Sequence, residues 1–160
     1  MADPRGPSSK IELRVLQPHH TASLRETVHR DSVTEALGQG FQAVKESLAK
    51  QGVDATGSLF VRWHAQGDDV DMEAGVMVSG PIKPDGEVKP GQLPGGPAAI
   101  AIHAGPYEGL KATYDAVEVW LDRTQRSASG GPWEIYLTDP SAEPDPTKWL
   151  TEIIYPLDKP

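Results

Sequence analysis

The sequence predicts an α+β protein in which antiparallel sheet and two amphipathic helices come from one strand–helix–hairpin unit used twice. Three observations carry this reading. Between Ala98 and Leu121 a short Ile-rich apolar run ends at His103, and Gly105-Pro106 then leads into Leu110, Tyr114, Val117 and Leu121. Those four recur at spacings of four, three and four, which puts them on one helix face. Leu37, Phe41, Val44 and Leu48 repeat the same spacing, each 73 residues earlier. Beyond the helices, Gly57 to Trp63 stands 74 residues before Gly131 to Leu137, and Met72 to Val78 stands 79 residues before Thr151 to Leu157. Val28-His29 precede the first helix much as Ile102-His103 precede the second.

Taken in order, residues 1–10 are rich in Pro, Ser and Gly and are expected to be a disordered tail. Residues 11–160 are expected to form a single domain, with one repeat over about 11–80 and the other over about 87–157. Ile11, Leu13 and Val15 alternate with Glu12 and Arg14 as in a half-buried strand. Pro18-His19-His20 is read as a turn into a second strand, Ala22 to Val28, paired with the first. Ser32 followed by Glu35 fits a capping box for a helix from about Val33 to Lys50, with Gly52 placed to end it. Leu59 to His64 and Val70 to Val78 are expected to make a hairpin across Gly67-Asp68.

The connection from Pro81 to Pro97 is dense in Pro and Gly, with room for a short edge strand at Glu87 to Leu93. The second repeat then runs through a strand to His103 and a helix from Pro106 to about Arg126, because Pro at the first helical position loses no hydrogen bond. Strands at Trp133 to Thr138 and Trp149 to Leu157 follow, separated by a Pro-rich loop from Asp139 to Lys148 that absorbs the extra five residues.

Composition narrows the function. At 160 residues and 38% hydrophobic content the chain can bury a real core. It has no cysteine, so thiolate metal sites and thiol nucleophiles drop out, and a reducing cytoplasm is the expected location. No apolar run is long enough to span a membrane, and the formal charge of −8 comes without a basic cluster, so no membrane and no direct nucleic-acid partner are expected. Five scattered histidines have no metal-ligand spacing, no metal or other cofactor is called for, and P-loop and nucleophile-elbow motifs are missing.

Two copies of one unit commonly pack about a pseudo-two-fold axis, with a cleft where equivalent strands meet. Glu152, in Leu150-Thr151-Glu152-Ile153-Ile154, stands among hydrophobes whichever face is inward, and a carboxylate there is costly without a partner. Its equivalent in the other copy is Glu73. The competing reading is that both simply face solvent, as most Glu do.

His103-Ala104-Gly105-Pro106-Tyr107 with Leu110 and Tyr114, then Glu134-Ile135-Tyr136-Leu137-Thr138-Asp139-Pro140, then Thr151-Glu152-Ile153 and Pro156-Leu157, together resemble the GyrI-like small-molecule-binding domain. That domain is also the effector-binding module of bacterial multidrug-responsive transcription activators, and the resemblance covers about Ile11 to Leu157. It implies two SH2-like β-α-β-β units around a central cleft that takes lipophilic, often cationic, aromatic molecules. It also implies that the glutamate of the T-E-I motif, here Glu152, supplies the countercharge. Trp63, Trp133 and Tyr136 on the hairpin strands, Tyr107 at the second helix and Trp149 as a rim are the candidate stacking residues. Trp133 and Tyr136 lie on opposite faces by alternation, so only one of them points into a cleft.

With only about ten residues before the first strand, no counterpart of the activators' helix-turn-helix is expected. The expected function is therefore a stand-alone drug-binding protein that sequesters or senses its ligand, with any protein partner unknown. The alternative is a hydrolase of reactive electrophilic natural products, with Glu152 as general base beside Tyr136.

Overall fold

The computed structural model describes residues 11–159 and contains eight strands and two helices. They are β1 (Ile11–Leu16), β2 (His19–His29), α1 (Val33–Gln51), β3 (Ala55–Ala65), β4 (Asp69–Val78), β5 (Lys89–Leu93), β6 (Gly96–Ala104), α2 (Leu110–Thr124), β7 (Trp133–Tyr136) and β8 (Leu150–Pro156). The fold is α+β with antiparallel strands, as expected. The expected tail at 1–10 lies outside the described residues.

The chain divides into two compact units. The first, Gln17–Gly95, holds α1 and the strand order β5-β2-β4-β3; the second, β1 with everything from Gly96 onward, holds α2 and the order β1-β6-β8-β7. Each unit thus contains a strand, a helix and two further strands, joined by a strand from the other half of the sequence. The expected β1–β2 pair does not form. β2 already has β4 on one edge and β5 on the other, while β1 pairs with β6 from Ile11↔Ala101 to Leu16↔Gly96.

Residues directly opposite one another in an antiparallel ladder point to the same face. In the first unit Val44 and Leu48 of α1 pack on Ala22, Leu24, Val76 and Val78. Gly40 brings the helix close, since a Cβ there would lie 3.5 Å from that of Ala74. In the second unit Val117 and Leu121 of α2 pack on Ala99, Ala101, Ile153, Tyr155 and Leu157. Burying side chains of this size contributes roughly 1.5–3 kcal/mol each. Leu37, Phe41, Leu110 and Tyr114 are only half-buried, so each helix is seated most deeply by the C-terminal half of its apolar stripe.

Both helix starts differ from expectation. Ser32 has φ −102° and ψ 2° and makes no side-chain cap, because the chain enters α1 through a 3-10 turn at Arg30–Ser32. A capping box needs an extended cap residue. Gly52, at φ 67°, ends α1 as expected. Pro106 is extended and opens a 3-10 turn at Tyr107–Gly109, so the α-helix begins at Leu110. His103 explains that turn: its Nε2 donates to the Pro106 carbonyl at 2.9 Å and its Nδ1 is hydrogen-bonded with Thr113 Oγ1 at 2.9 Å. A side chain on Gly109 would meet the His103 ring at 2.9 Å, so glycine is required there. Among the described residues no helix is long and apolar enough to cross a membrane.

Candidate functional site

In the second unit α2 covers the face that carries Ile153 and Thr151, and the ladder pairs these with Glu134 and Tyr136 of β7. The short strand Trp133-Glu134-Ile135-Tyr136 therefore turns Glu134 and Tyr136 toward the helix, and Trp133 and Ile135 to the opposite face. Glu134 is only 4% exposed. Tyr114 of α2 donates to its Oε2 at 2.5 Å, and Tyr136 donates to its Oε1 at 2.7 Å. A buried carboxylate is tolerated only when its oxygens are satisfied, and bonds to a charged acceptor are about twice as strong as neutral ones.

Burial, reinforced by the neighbouring Glu134 charge, raises the phenol pKa of both Tyr114 and Tyr136. Both rings therefore remain protonated donors at any physiological pH. Tyr107 stands edge-on to Tyr136 with ring centroids 5.8 Å apart, and lies tilted against Trp149 at 5.0 Å. Its own pKa is raised by burial, then by Glu134 and Asp139. The Trp149 indole is fixed by its N–H on the Glu143 carbonyl at 2.7 Å. Tyr107, 37% exposed, is the open side of this cluster. A desolvated carboxylate thus lies beside the rings of Tyr114 and Tyr136, and Tyr136 continues through Tyr107 to Trp149.

The other sequence candidates are placed elsewhere. Glu152 pairs across the ladder with Ile135 and Ile102, so it leaves the face opposite Tyr136 and lies on the side of Trp133. Burial raises its pKa, opposed by Arg14 and assisted by Glu12. Trp133 is 2% exposed and fills the core on that face. In the first unit Trp63 pairs with Met72 and points to the α1 side, whereas Glu73 pairs with Arg62 and Arg25 on the helix-free side. Glu73 accepts from Ser23 Oγ at 2.5 Å and from His64 Nε2 at 2.8 Å.

Of the seven sequence candidates, then, Tyr107, Tyr136 and Trp149 are brought together; Glu152 and Tyr136 are not. Glu134 was missed as a site residue although it sits in the motif that carried the resemblance. Its signal was a carboxylate two positions from a tyrosine on a strand with apolar residues on both faces. No group of three or more His, Cys, Asp or Glu among the described residues is arranged to hold a metal.

The family model of the GyrI-like small-molecule-binding domain matches residues 10–158, and the chain belongs to that family. The EcmrR C-terminal domain superposes with a TM-score of 0.83 at 22% identity, covering 94% of this chain and 98% of that one. In the EcmrR–DNA complex the match spans 58% of the EcmrR chain at 23% identity and a TM-score of 0.83. SAV2435, solved with tetraphenylphosphonium bound, gives a TM-score of 0.68 at 12% identity, covering 93% of this chain and 94% of its own. A hydrolase from Listeria innocua gives 0.65 at 16% identity, covering 96% and 94%. No curated protein matches in sequence.

Proposed function

We propose that this protein binds lipophilic, cationic aromatic small molecules, and so acts in sequestration or sensing of such compounds in the cytoplasm. The observation that carries the reading is Glu134, a buried carboxylate held by Tyr114 and Tyr136, with Tyr136 edge-on to the exposed Tyr107 and Tyr107 tilted on Trp149. Glu134 supplies the countercharge, and the rings supply dispersion and cation–π attraction of roughly 0.5–2 kcal/mol each. Such contacts select shape and charge rather than fixed hydrogen bonds, which favours a range of ligands. The tetraphenylphosphonium bound to SAV2435, a bulky aromatic cation, supports the ligand class. Glu152 beside Trp133, and Glu73 and Trp63 in the first unit, remain the alternative contacts.

Fluorescence titration with a rhodamine-type cation and a neutral analogue of equal size tests this. Glu134→Gln is expected to weaken the cation by about 1–3 kcal/mol and the neutral ligand much less, the scale of a lost charge-assisted contact. If Glu152→Gln shows that selective loss and Glu134→Gln does not, the countercharge is Glu152. Equal loss of both ligands would remove the carboxylate from the reading.

The second reading, hydrolysis of a reactive electrophile, is favoured by the Glu134–Tyr136 contact and by the hydrolase among the structural neighbours. Glu134 would take a proton from water as the oxygen attacks the electrophilic carbon and return it to the departing oxygen, with Tyr136 turning its O–H from Glu134 toward the developing charge. Mass spectrometry of incubated ligands separates it from binding alone: ligands recovered unchanged leave binding.

A further inference from the structure

We propose that β1 is a pairing edge for a second copy of this chain, the two β1 strands running antiparallel about a two-fold axis through Leu13. Among the described residues β1 pairs with β6 alone, so its other edge presents alternate N–H and C=O groups to no strand. Such an edge is a template for another strand, and proteins commonly blunt it with lysine, proline or a bulge. β5, an edge of the first unit, has Lys89 and Pro90 in that role. Ile11-Glu12-Leu13-Arg14-Val15-Leu16 has neither residue type and pairs with β6 in unbroken register. Its side chains are open as well: Leu13 is 53% and Val15 77% exposed, and Glu12 and Arg14 are exposed on the other face.

The strand's own sequence identifies the occupant. Ile11, Leu13 and Val15 stand opposite Ala101, Ala99 and Pro97 of β6, on the face that α2 covers, and Ile11 packs on that core. Leu13 and Val15 carry this apolar surface out to the open edge. In antiparallel pairing centred on Leu13, Leu13 faces its own copy, Ile11 faces Val15, and Glu12 faces Arg14 once on each side of the axis. Apolar residues then meet on one face and opposite charges on the other. Centring on Glu12 or Arg14 instead sets like charges against each other, and a one-residue slip sets Leu13 against Glu12 or Arg14. The strand therefore fits itself in one register. Glu12 and Arg14 already touch within one strand at 2.6 Å, so pairing redistributes that contact; the charges fix register, while backbone bonds and apolar burial hold the copies together. A contact of this symmetry closes as a dimer. Its small size makes the association weak. None of the residues around Glu134 takes part, so the pairing stands apart from ligand binding there.

Sedimentation equilibrium of the full chain, up to millimolar concentration, tests this. A reversible monomer–dimer equilibrium is expected. Glu12→Arg and Arg14→Glu are each expected to weaken it by about tenfold or more, because each sets like charges opposite one another on both sides of the axis. An equimolar mixture of the two variants is expected to recover dimers, since a strand with two basic residues then meets one with two acidic residues. Leu13→Lys places like charges on the axis itself, at a position already half-exposed, and is expected to abolish association while circular dichroism stays native. A chain that remains monomeric throughout, a dimer that all three variants retain, or a mixture that associates no better than its components would overturn the proposal.

Discussion

The two units share a strand order but differ in what lies under the helix. In the second unit the carboxylate lies under the helix: Glu134 is buried, with tyrosines on both of its oxygens. In the first unit the position facing Ala74, as Glu134 faces Ile153, is Val61, fully buried, and the α1 face is apolar. There the charged groups, Glu73, His64, Arg25 and Asp71, lie on the helix-free side; the helix-free side of the second unit also carries charge, Glu152 with Glu12 and Arg14 of β1, among Ile100, Ile154, Trp133 and Ile135. One backbone plan thus accepts a buried carboxylate under the helix in one unit and a buried valine at the matching position in the other. Under a helix such a carboxylate needs side-chain donors from that helix, and only α2 has a tyrosine, Tyr114, where α1 has Phe41.

The comparison is sharpened first at the two large core residues. Phe60 and Trp133 are both essentially buried on the helix-free side of their units. Phe60→Ala and Trp133→Ala are each expected to lower unfolding free energy by about 3–5 kcal/mol in denaturant titrations. A near-neutral result for one would mean that its unit does not depend on that face.

Next come the carboxylate supports. Tyr114→Phe leaves one oxygen of buried Glu134 without its helix donor and is expected to cost about 1–3 kcal/mol. Ser23→Ala at the more exposed Glu73, which retains His64, is expected to cost less than about 1 kcal/mol. If the two losses are equal by thermal denaturation, burial is not what distinguishes the two carboxylates.

Gly40→Ala tests helix seating. The added methyl would make ordinary contact at 3.5 Å with Ala74, so the gain in helix propensity, up to about 1 kcal/mol, should leave the variant neutral or stabilised. A clear loss in melting temperature would show that α1 sits closer than this.

The smallest effect concerns Glu152. Its pKa is raised in the folded state, so folding binds the proton more tightly there than the unfolded chain does. Its contribution is therefore unfavourable once it ionises, fully so above the folded pKa, fading as pH falls through that value and gone below the ordinary carboxylate value. Glu152→Gln should stabilise slightly, by under about 1 kcal/mol given its half-exposure, at neutral pH and not at pH 3.5. Stabilisation independent of pH would assign the effect to packing.

Much of the architecture was legible because it rests on local periodicity. The stripe Leu37, Phe41, Val44, Leu48 and its counterpart located both helices, Gly52 ended α1, and Gly67-Asp68 sits at the turn between β3 and β4. β5 also fell within the expected edge strand. The partner of β1 was not legible, because alternation says which residues face inward but not which strand lies alongside. Nor was the 3-10 entry to α2, which depends on His103 reaching Pro106 and Thr113.

For the site, the sequence by itself determined the chemistry available: aromatic residues and glutamates on short strands, no cysteine, and the motif Glu134-Ile135-Tyr136 within a chain that resembles a ligand-binding family. Alternation in β7 already separated Trp133 from Tyr136. Only tertiary structure decided which carboxylate meets the rings. Strand register sends Glu152 away from Tyr136, and Tyr114 arrives at Glu134 from a helix twenty residues earlier. Whether a glutamate is solvated or buried depends on what packs over its face, and that surface is supplied by residues distant in the chain.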